Sequence, residues 1–300
     1  MFRLGRTYFG VQAVAGTVWW VAVFTSPWVR DATLGSLDAV TVAVLDIPLF
    51  VGASALAGFG FGAAVGRAAW VSTTWTALVA LALGVYATVT GEAGWGVLIM
   101  GAAAAASVIA LCLVTLGRVP TAWIAAGPFA FRSAKPGAHV VRTFAQVVVF
   151  WGAFLVVGPA VISWLEHRWG LAVRFDAVAL GVVVLVLASA LGVASAITMS
   201  TIGRGTPLPS AMPTRLVIAG PYRWLRNPMA VAGIVQGVAV GLILSSWLVI
   251  GYAIVGSVLW NSAVRPLEEA DLEARFGDEF RRYRETVRCW VPRITARDSA

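Results

Sequence analysis

Eight apolar runs, each meeting or approaching the length needed to cross a bilayer, take up most of this 300-residue chain, and they limit its fold more than any other feature. A helix rises about 1.5 Å per residue and the hydrocarbon core is about 30 Å thick, so about 20 mostly apolar residues make a span. The runs cover residues 8–24, 40–65, 69–90, 95–116, 140–165, 177–199, 229–244 and 247–264. The predicted fold is therefore all-α: a polytopic integral membrane bundle of about eight transmembrane helices, with a cytoplasmic loop and a C-terminal helix. The last two runs are short and separated only by Ser245 and Ser246, so a tight hairpin that does not fully cross is the other reading of that pair.

Composition agrees with a membrane protein and excludes an ordinary soluble domain, since 59% of residues are hydrophobic and only 12% are charged. A net charge of +8 would suit a nucleic-acid binder, but the 22 basic residues are spread thinly through apolar sequence, and no nucleic-acid partner is expected. Cys112 and Cys289 lie far apart, and His139 and His167 are the only histidines, so neither a disulfide framework nor a metal site is expected. The first run has no small-residue cleavage site and is expected to stay as a span.

The charges instead report topology. With the N-terminus inside, the connections on that side carry Arg3, Arg6, Arg67, Arg118, Arg132, Lys135, Arg142, Arg204, Arg215, Arg223 and Arg226, and no acidic residue. The opposite side carries Arg30, Arg168 and Arg174 against Asp31, Asp38, Glu92, Glu166 and Asp176. Cytoplasmic loops keep an excess of Lys and Arg, which places both termini in the cytoplasm. The plasma (inner) membrane is the expected location. From Arg265 onward eight arginines balance eight acidic residues, so the whole excess belongs to the first 264 residues.

A proline-bearing loop at 117–139, with Pro120, Pro128 and Pro136, divides the runs four and four, giving an N-terminal membrane region over 1–135 and a second domain over 136–300. In the first region Gly58, Gly62 and Gly66 recur every four residues, and Ala102 to Ala106 are all alanine; such small residues let helices approach closely. Asp46 stands out near the start of the second run. It reads either as a functional carboxyl, such as part of an ion pathway, or as a side chain at the outer headgroup boundary.

Polar chemistry concentrates in the second region. One stretch holds Gly203, Arg204, Gly205, Thr206, Pro207, Leu208 and Pro209, and further on Leu216-Val217, Gly220-Pro221-Tyr222-Arg223 and Arg226-Asn227-Pro228-Met229. Gly and Pro fix an irregular backbone, while the arginines and Asn227 supply donors beside the start of the seventh run. A pocket for a polar ligand and a positive-inside loop touching lipid headgroups, with Asn-Pro starting a helix, are the two readings. After the eighth run come Glu268 and Glu269, which require solvent, an arginine partner such as Arg223 or Arg226, or a cationic ligand. Leu272, Phe276, Phe280, Tyr283 and Val287 then follow at helical spacing on one face, predicting a helix lying on the protein or the membrane surface.

This ordered set, Gly-Thr-Pro-x-Pro, Leu-Val, Gly-Pro-Tyr-Arg, Arg-Asn-Pro-Met, two apolar helices, Glu-Glu, Leu, Phe-Gly and Val-Pro, resembles the isoprenylcysteine carboxyl methyltransferase and phospholipid methyltransferase group of integral membrane enzymes over about residues 140–294. The resemblance implies S-adenosylmethionine (S-adenosyl-L-methionine) as cofactor, held on the cytoplasmic side. It also implies cofactor contacts from Gly220, Pro221, Tyr222, Arg223, Arg226, Asn227, Pro228, Glu268 and Glu269, with Arg226 and Asn227 nearest the chemistry. Acidic groups suit the ammonium and ribose hydroxyls, arginine suits the carboxylate, and Tyr222 or Trp224 suits the adenine ring. Methyl transfer needs alignment and exclusion of water more than an enzyme nucleophile. The implied acceptor is a lipid-soluble carboxyl, amine or hydroxyl compound, an isoprenoid or a lipid.

The chain departs from the family at three places. Asn227 stands where histidine is frequent, Ala230 where tyrosine is frequent and Phe280 where a tail tyrosine is common. Asparagine can still hydrogen-bond but cannot titrate, which favours binding over acid-base work at that position. A membrane transporter, resting on Asp46 and on Pro159 within the fifth run, and a non-catalytic binding or scaffold protein are the alternative functions.

Overall fold

The computed structural model describes residues 1–121, 148, 149, 151–203 and 214–292, and among these every regular element is helical. Six helices are long and apolar enough to cross a membrane among the described residues: Phe2–Thr25, Ala39–Phe59, Ala64–Thr90, Gly94–Leu116, Val178–Thr201 and the apolar part of Trp247–Thr286. The expected run at 140–165 begins outside the described residues. The run expected at 229–244 is a 16-residue helix, about 24 Å long and short of a full crossing. The chain is thus a polytopic helical membrane protein, with six membrane-length helices described where eight were expected.

The chain divides into two compact units, Met1–Pro120 with Leu165–Ala172, and Thr121–Trp164 with Val173–Ala300. In the first, α1 (Phe2–Thr25) ends at Ser26, whose hydroxyl caps α2 (Pro27–Leu34) through the Val29 amide. Asp38 caps α3 (Ala39–Asp46) by accepting from the Thr41 amide at 2.8 Å. A π-helical turn, Ile47–Gly52, carries the chain into α4 (Ala53–Phe59). Pro48 has no N–H to give the usual i to i−4 bond, which accounts for the wider turn there. The unit is completed by α5 (Ala64–Thr90) and α6 (Gly94–Leu116). Phe9 packs against Ala57, Val65, Ala68, Ala69, Ala110, Leu111 and Val114, a core whose small residues bring the helices close.

Two polar centres are sealed inside this unit. Gln12 Nε2 donates to the Ser54 and Ser72 hydroxyls (3.0 and 3.1 Å), and its Oε1 accepts from Ser107 (3.0 Å) and from Tyr8, so one glutamine joins α1, α4, α5 and α6. Asp46 accepts from the Trp20 indole at one oxygen (2.9 Å) and the Trp75 indole at the other (2.8 Å), and is only 3% exposed. It lies about 10 Å into the Ala39–Phe59 span, inside the span rather than at its end. Polar groups without water must find such partners.

The glycine reading needs correction. A Cβ at Gly58 would sit 2.6 Å from the Gly10 nitrogen, so this glycine does allow α1 and α4 to cross closely. Gly62 has φ +62 in the turn between α4 and α5 and meets no neighbour, nor does Gly66. Four-residue spacing places residues on one face only within a single helix, and α4 stops at Phe59. Gly58→Val is therefore expected to lower the thermal midpoint of the purified protein by several degrees, while Gly66→Ala leaves it unchanged.

In the second unit a π-helical turn, Gly152–Val157, leads into α7 (Gly158–Arg168), whose last residues are counted with the first unit. It also contains α8 (Val178–Thr201), α9 (Pro228–Ile243) and α10 (Trp247–Leu259). A second π-helical turn, Trp260–Val264, leads to α11 (Arg265–Thr286). Close packing is again made by glycine: a Cβ at Gly181 would meet the Ala239 carbonyl at 2.9 Å, and one at Gly237 would meet Ala253 at 2.9 Å. The Ser245 and Ser246 hairpin forms as the sequence suggests, with the Ser246 hydroxyl capping α10 through the Val249 amide at 3.2 Å. The continuous helical segment Trp247–Thr286 has 40 residues, about 60 Å, twice the hydrocarbon thickness. Its apolar part ends before Arg265, so α11, with its charged sequence, lies outside the spanning portion.

Candidate functional site

The site grows from a sharp turn after α8. Gly220 has φ +55, and a Cβ there would lie 2.6 Å from the Thr198 hydroxyl on α8, so both conformation and space demand glycine. Residues Gly220–Arg223 form one 3₁₀ turn, with the Pro221 carbonyl accepting from the Trp224 and Leu225 amides, both at 3.1 Å. This turn sorts side chains by direction. Tyr222 and Leu225 are buried, whereas Arg223 and Trp224 are exposed.

Asn227 does two things at once. Its Oδ1 accepts from the Ala230 amide (3.2 Å), capping α9 with Pro228 in the first helical turn, and its Nδ2 donates to Glu268 Oε2 (3.2 Å). Helix start and polar site are therefore the same residue, and the two readings of Asn-Pro do not exclude each other. Glu268 Oε1 has no hydrogen-bond partner among the described residues. Burial first, then the nearby carboxylates Glu269 and Asp271, push the Glu268 carboxyl up to about 7, against the Asn227 amide, which favours the charged form. Burial also raises the Tyr222 phenol, with the charge of Glu268 adding to it.

Arg226 donates from all three of its side-chain nitrogens. Its Nε and Nη2 donate to Glu269 Oε1 (3.2 and 2.9 Å), and its Nη1 donates to the carbonyls of Arg284 and Val287, both at 3.0 Å. Its backbone amide donates to the Arg288 carbonyl at 3.0 Å. Glu269 therefore faces Arg226, with Arg265 at 3.9 Å, while Glu268 faces Asn227. The Arg223 side chain makes no hydrogen bond or ion pair among the described residues.

The amphipathic face expected in the tail is present: Phe280, Tyr283 and Val287 form a buried cluster joined by Leu216, Leu272 and Phe276. That face packs on the protein. Gly277, with φ +52, bends α11 between Phe276 and Phe280. The Tyr283 hydroxyl donates to the Tyr222 carbonyl at 2.7 Å, and the Trp290 indole donates to Asn261 at 2.9 Å with its ring edge-on to Trp260. Neither contact carries a spacing signal, because each joins residues far apart in sequence. Arg204, Gly205, Thr206, Pro207, Leu208 and Pro209 lie outside the described residues.

The groups brought together are thus the Gly220 turn, Asn227 at the head of α9 and the Glu-Glu pair at the head of α11, in the order the motif set requires. Residues 176–279 match the phospholipid methyltransferase family. The match covers about a third of the chain and contains the Gly220 turn, Asn227, Glu268 and Glu269, so the resemblance read from those residues holds over that segment. The chain thus carries, among its membrane-length helices, a segment similar to the phospholipid methyltransferase family. A solved structure of isoprenylcysteine carboxyl methyltransferase, the eukaryotic intramembrane Ras methyltransferase, is similar at 18% identity, covering 95% of this chain and 96% of that chain with a TM-score of 0.32. A TM-score that low carries no conclusion about fold or function. No curated protein matches the chain.

An apolar groove in the first unit, lined by Thr17, Trp20, Val21, Phe24, Thr25, Ile47 and Val51, offers a charged ligand nothing. Its Thr17 and Thr25 hydroxyls are spent on helix carbonyls and its Trp20 indole on Asp46.

Proposed function

We propose that the chain is an S-adenosylmethionine-dependent methyltransferase embedded in the membrane, acting on a lipid-soluble acceptor with a carboxyl, amine or hydroxyl end. The observation that carries this reading is Glu268: it is oriented by Asn227 at one oxygen, left open at the other, and lies within the matched methyltransferase segment. When bound, the cofactor supplies an electrophilic methyl on a sulfonium.

The chain's own residues fit such a group. Glu268 offers a carboxylate to its cationic or hydroxyl parts, Arg223 offers an exposed guanidinium to its carboxylate, and exposed Trp224 offers a ring face. Gly220, Pro221 and buried Tyr222 shape the turn, and Pro228 with Asn227 fixes the start of α9. Glu269 and Arg226 complete the site as an ion pair. Asn227 holds rather than transfers protons. For an amine acceptor, the group in this cluster with a carboxyl near neutral is Glu268.

The domain over 136–300 is proposed to carry this activity, on the cytoplasmic side of the plasma membrane, with the region 1–135 as a separate membrane bundle. Transport has no support from Asp46, since both its oxygens are taken by indoles. Purified protein incubated with methyl-labelled S-adenosylmethionine and a total lipid extract is expected to label a lipid-soluble product. A Glu268→Ala protein that still folds is expected to lose that label. No labelled product with any extract from folded wild-type protein would overturn the assignment.

A further inference from the structure

We infer that Arg226 is a positioning residue, which clamps the chain end at residues 284–288 against the Gly220 loop and thereby sets Glu268 through Glu269, and is not itself a ligand of the cofactor. This rests on the methyltransferase reading above.

A guanidinium has five N–H donors, and four of those of Arg226 are already used, two on one carboxylate oxygen and two on carbonyls. Those carbonyls, of Arg284 and Val287, belong to the C-terminal end of α11, where helix carbonyls lack intrahelical partners and a cation is favoured. For Arg226 to take a ligand carboxylate with two donors, it would have to release Glu269 or a carbonyl, and a released Glu269 would keep only Arg265, at 3.9 Å, beside Glu268. Among the described residues of the loop, Arg223 and Arg215 are exposed cations without a hydrogen-bond or ion-pair partner, and Arg223 is the one in the Gly220 turn.

The clamp extends beyond the arginine. Tyr283 donates to the Tyr222 carbonyl, and Trp290 is pinned to Asn261 and Trp260, so residues 283–290 run as a strap from the Gly220 turn to the base of α11. Of the four residues that partner Arg226, three (Arg284, Val287 and Arg288) lie beyond the matched segment, which ends at 279. The catalytic-family segment is thus fastened by residues outside it. The same ion pair keeps Glu269 neutralised next to Glu268.

The test uses the full chain in detergent, with Arg226→Ala, Glu269→Ala, the double variant, and Trp290→Phe, which keeps the ring and removes the N–H to Asn261. Thermal midpoints without cofactor and S-adenosylmethionine affinities across pH are measured. Each alanine variant is expected to lower the cofactor-free midpoint by several degrees and weaken the cofactor, with the double variant no worse than the worse single. Trp290→Phe should weaken the cofactor severalfold although the hydrogen bond it removes is to Asn261, not to the loop or to Glu268 or Glu269, and it serves where an alanine variant fails to fold. The pH midpoint of binding should rise in Arg226→Ala, because Glu269 then faces Glu268 with only Arg265, at 3.9 Å, to offset its charge; a general loosening would weaken binding without moving that midpoint.

Additive effects, or an Arg226→Ala protein of unchanged stability whose affinity falls about 100-fold, as loss of a direct charged contact would produce, would overturn the clamp. Absence of cofactor binding by the wild type would instead sink the methyltransferase reading, and the cofactor-free midpoints would still decide the clamp.

Discussion

Glu268→Gln is expected to weaken S-adenosylmethionine binding about 10- to 100-fold, the range for losing one charge-assisted hydrogen bond of about 1.5–3 kcal/mol, with little change in thermal midpoint. Gln keeps the shape and can still accept from the Asn227 amide, so folding should survive while the charge is lost. The same carboxyl fixes the pH dependence. With Glu268 pushed up to about 7 by burial and by Glu269 and Asp271, its charged form is only partly populated at neutral pH. A cationic ligand binds the charged form, so wild-type affinity should rise as pH rises through about 7 and level off above it. Below 7 it should fall by up to about tenfold per unit. The Gln protein should bind weakly at every pH, with a flat profile. A Gln protein that kept the wild-type profile would assign the titration to another group and remove Glu268 from the site.

Asp46→Ala is expected to destabilise the N-terminal unit by about 2–6 kcal/mol, because it strands two indole N–H donors that have no water to turn to. Trp20 and Trp75 come from different helices, and Asp46 is the acceptor that joins them to α3. Asn at this position retains one acceptor and presents an N–H₂ to the other indole, so Asp46→Asn should cost less than Ala but more than nothing. Denaturant titration of purified protein in mixed micelles measures both. A full-stability Asp46→Asn protein that abolished an ion flux in vesicles would restore the transport reading.

Much of the site was legible because its parts are local. Gly220 announces a turn, Asn227-Pro228 announces a helix start, and the 4-4-3-4 spacing from Leu272 to Val287 announces a face, which the buried cluster of Phe280, Tyr283 and Val287 shows. Order along the chain then sufficed to place Glu268 near that loop. What spacing cannot carry is the partner of a long side chain. Arg226, Arg223 and Glu269 look equivalent in sequence as charges beside a loop, yet Arg226 and Glu269 neutralise each other and Arg223 faces outward. The Trp290 contact with Asn261 has no sequence signature at all. The second expected span is present as Ala39–Phe59 although Pro48 widens a turn within it, and α9 is shorter than a crossing because the hairpin at Ser245 and Ser246 begins after 16 residues, the other reading of that pair. The even spacing of Gly58, Gly62 and Gly66 misled because a helix end falls between the first and second.

Equilibrium binding of S-adenosylmethionine to the purified, folded wild-type chain bears most directly on what the protein does. Saturable binding at one site per chain, strengthening as pH rises through about 7, and weakened with no pH dependence in Glu268→Gln, is the expected result. Folded protein that shows no saturable binding across that pH range would contradict it.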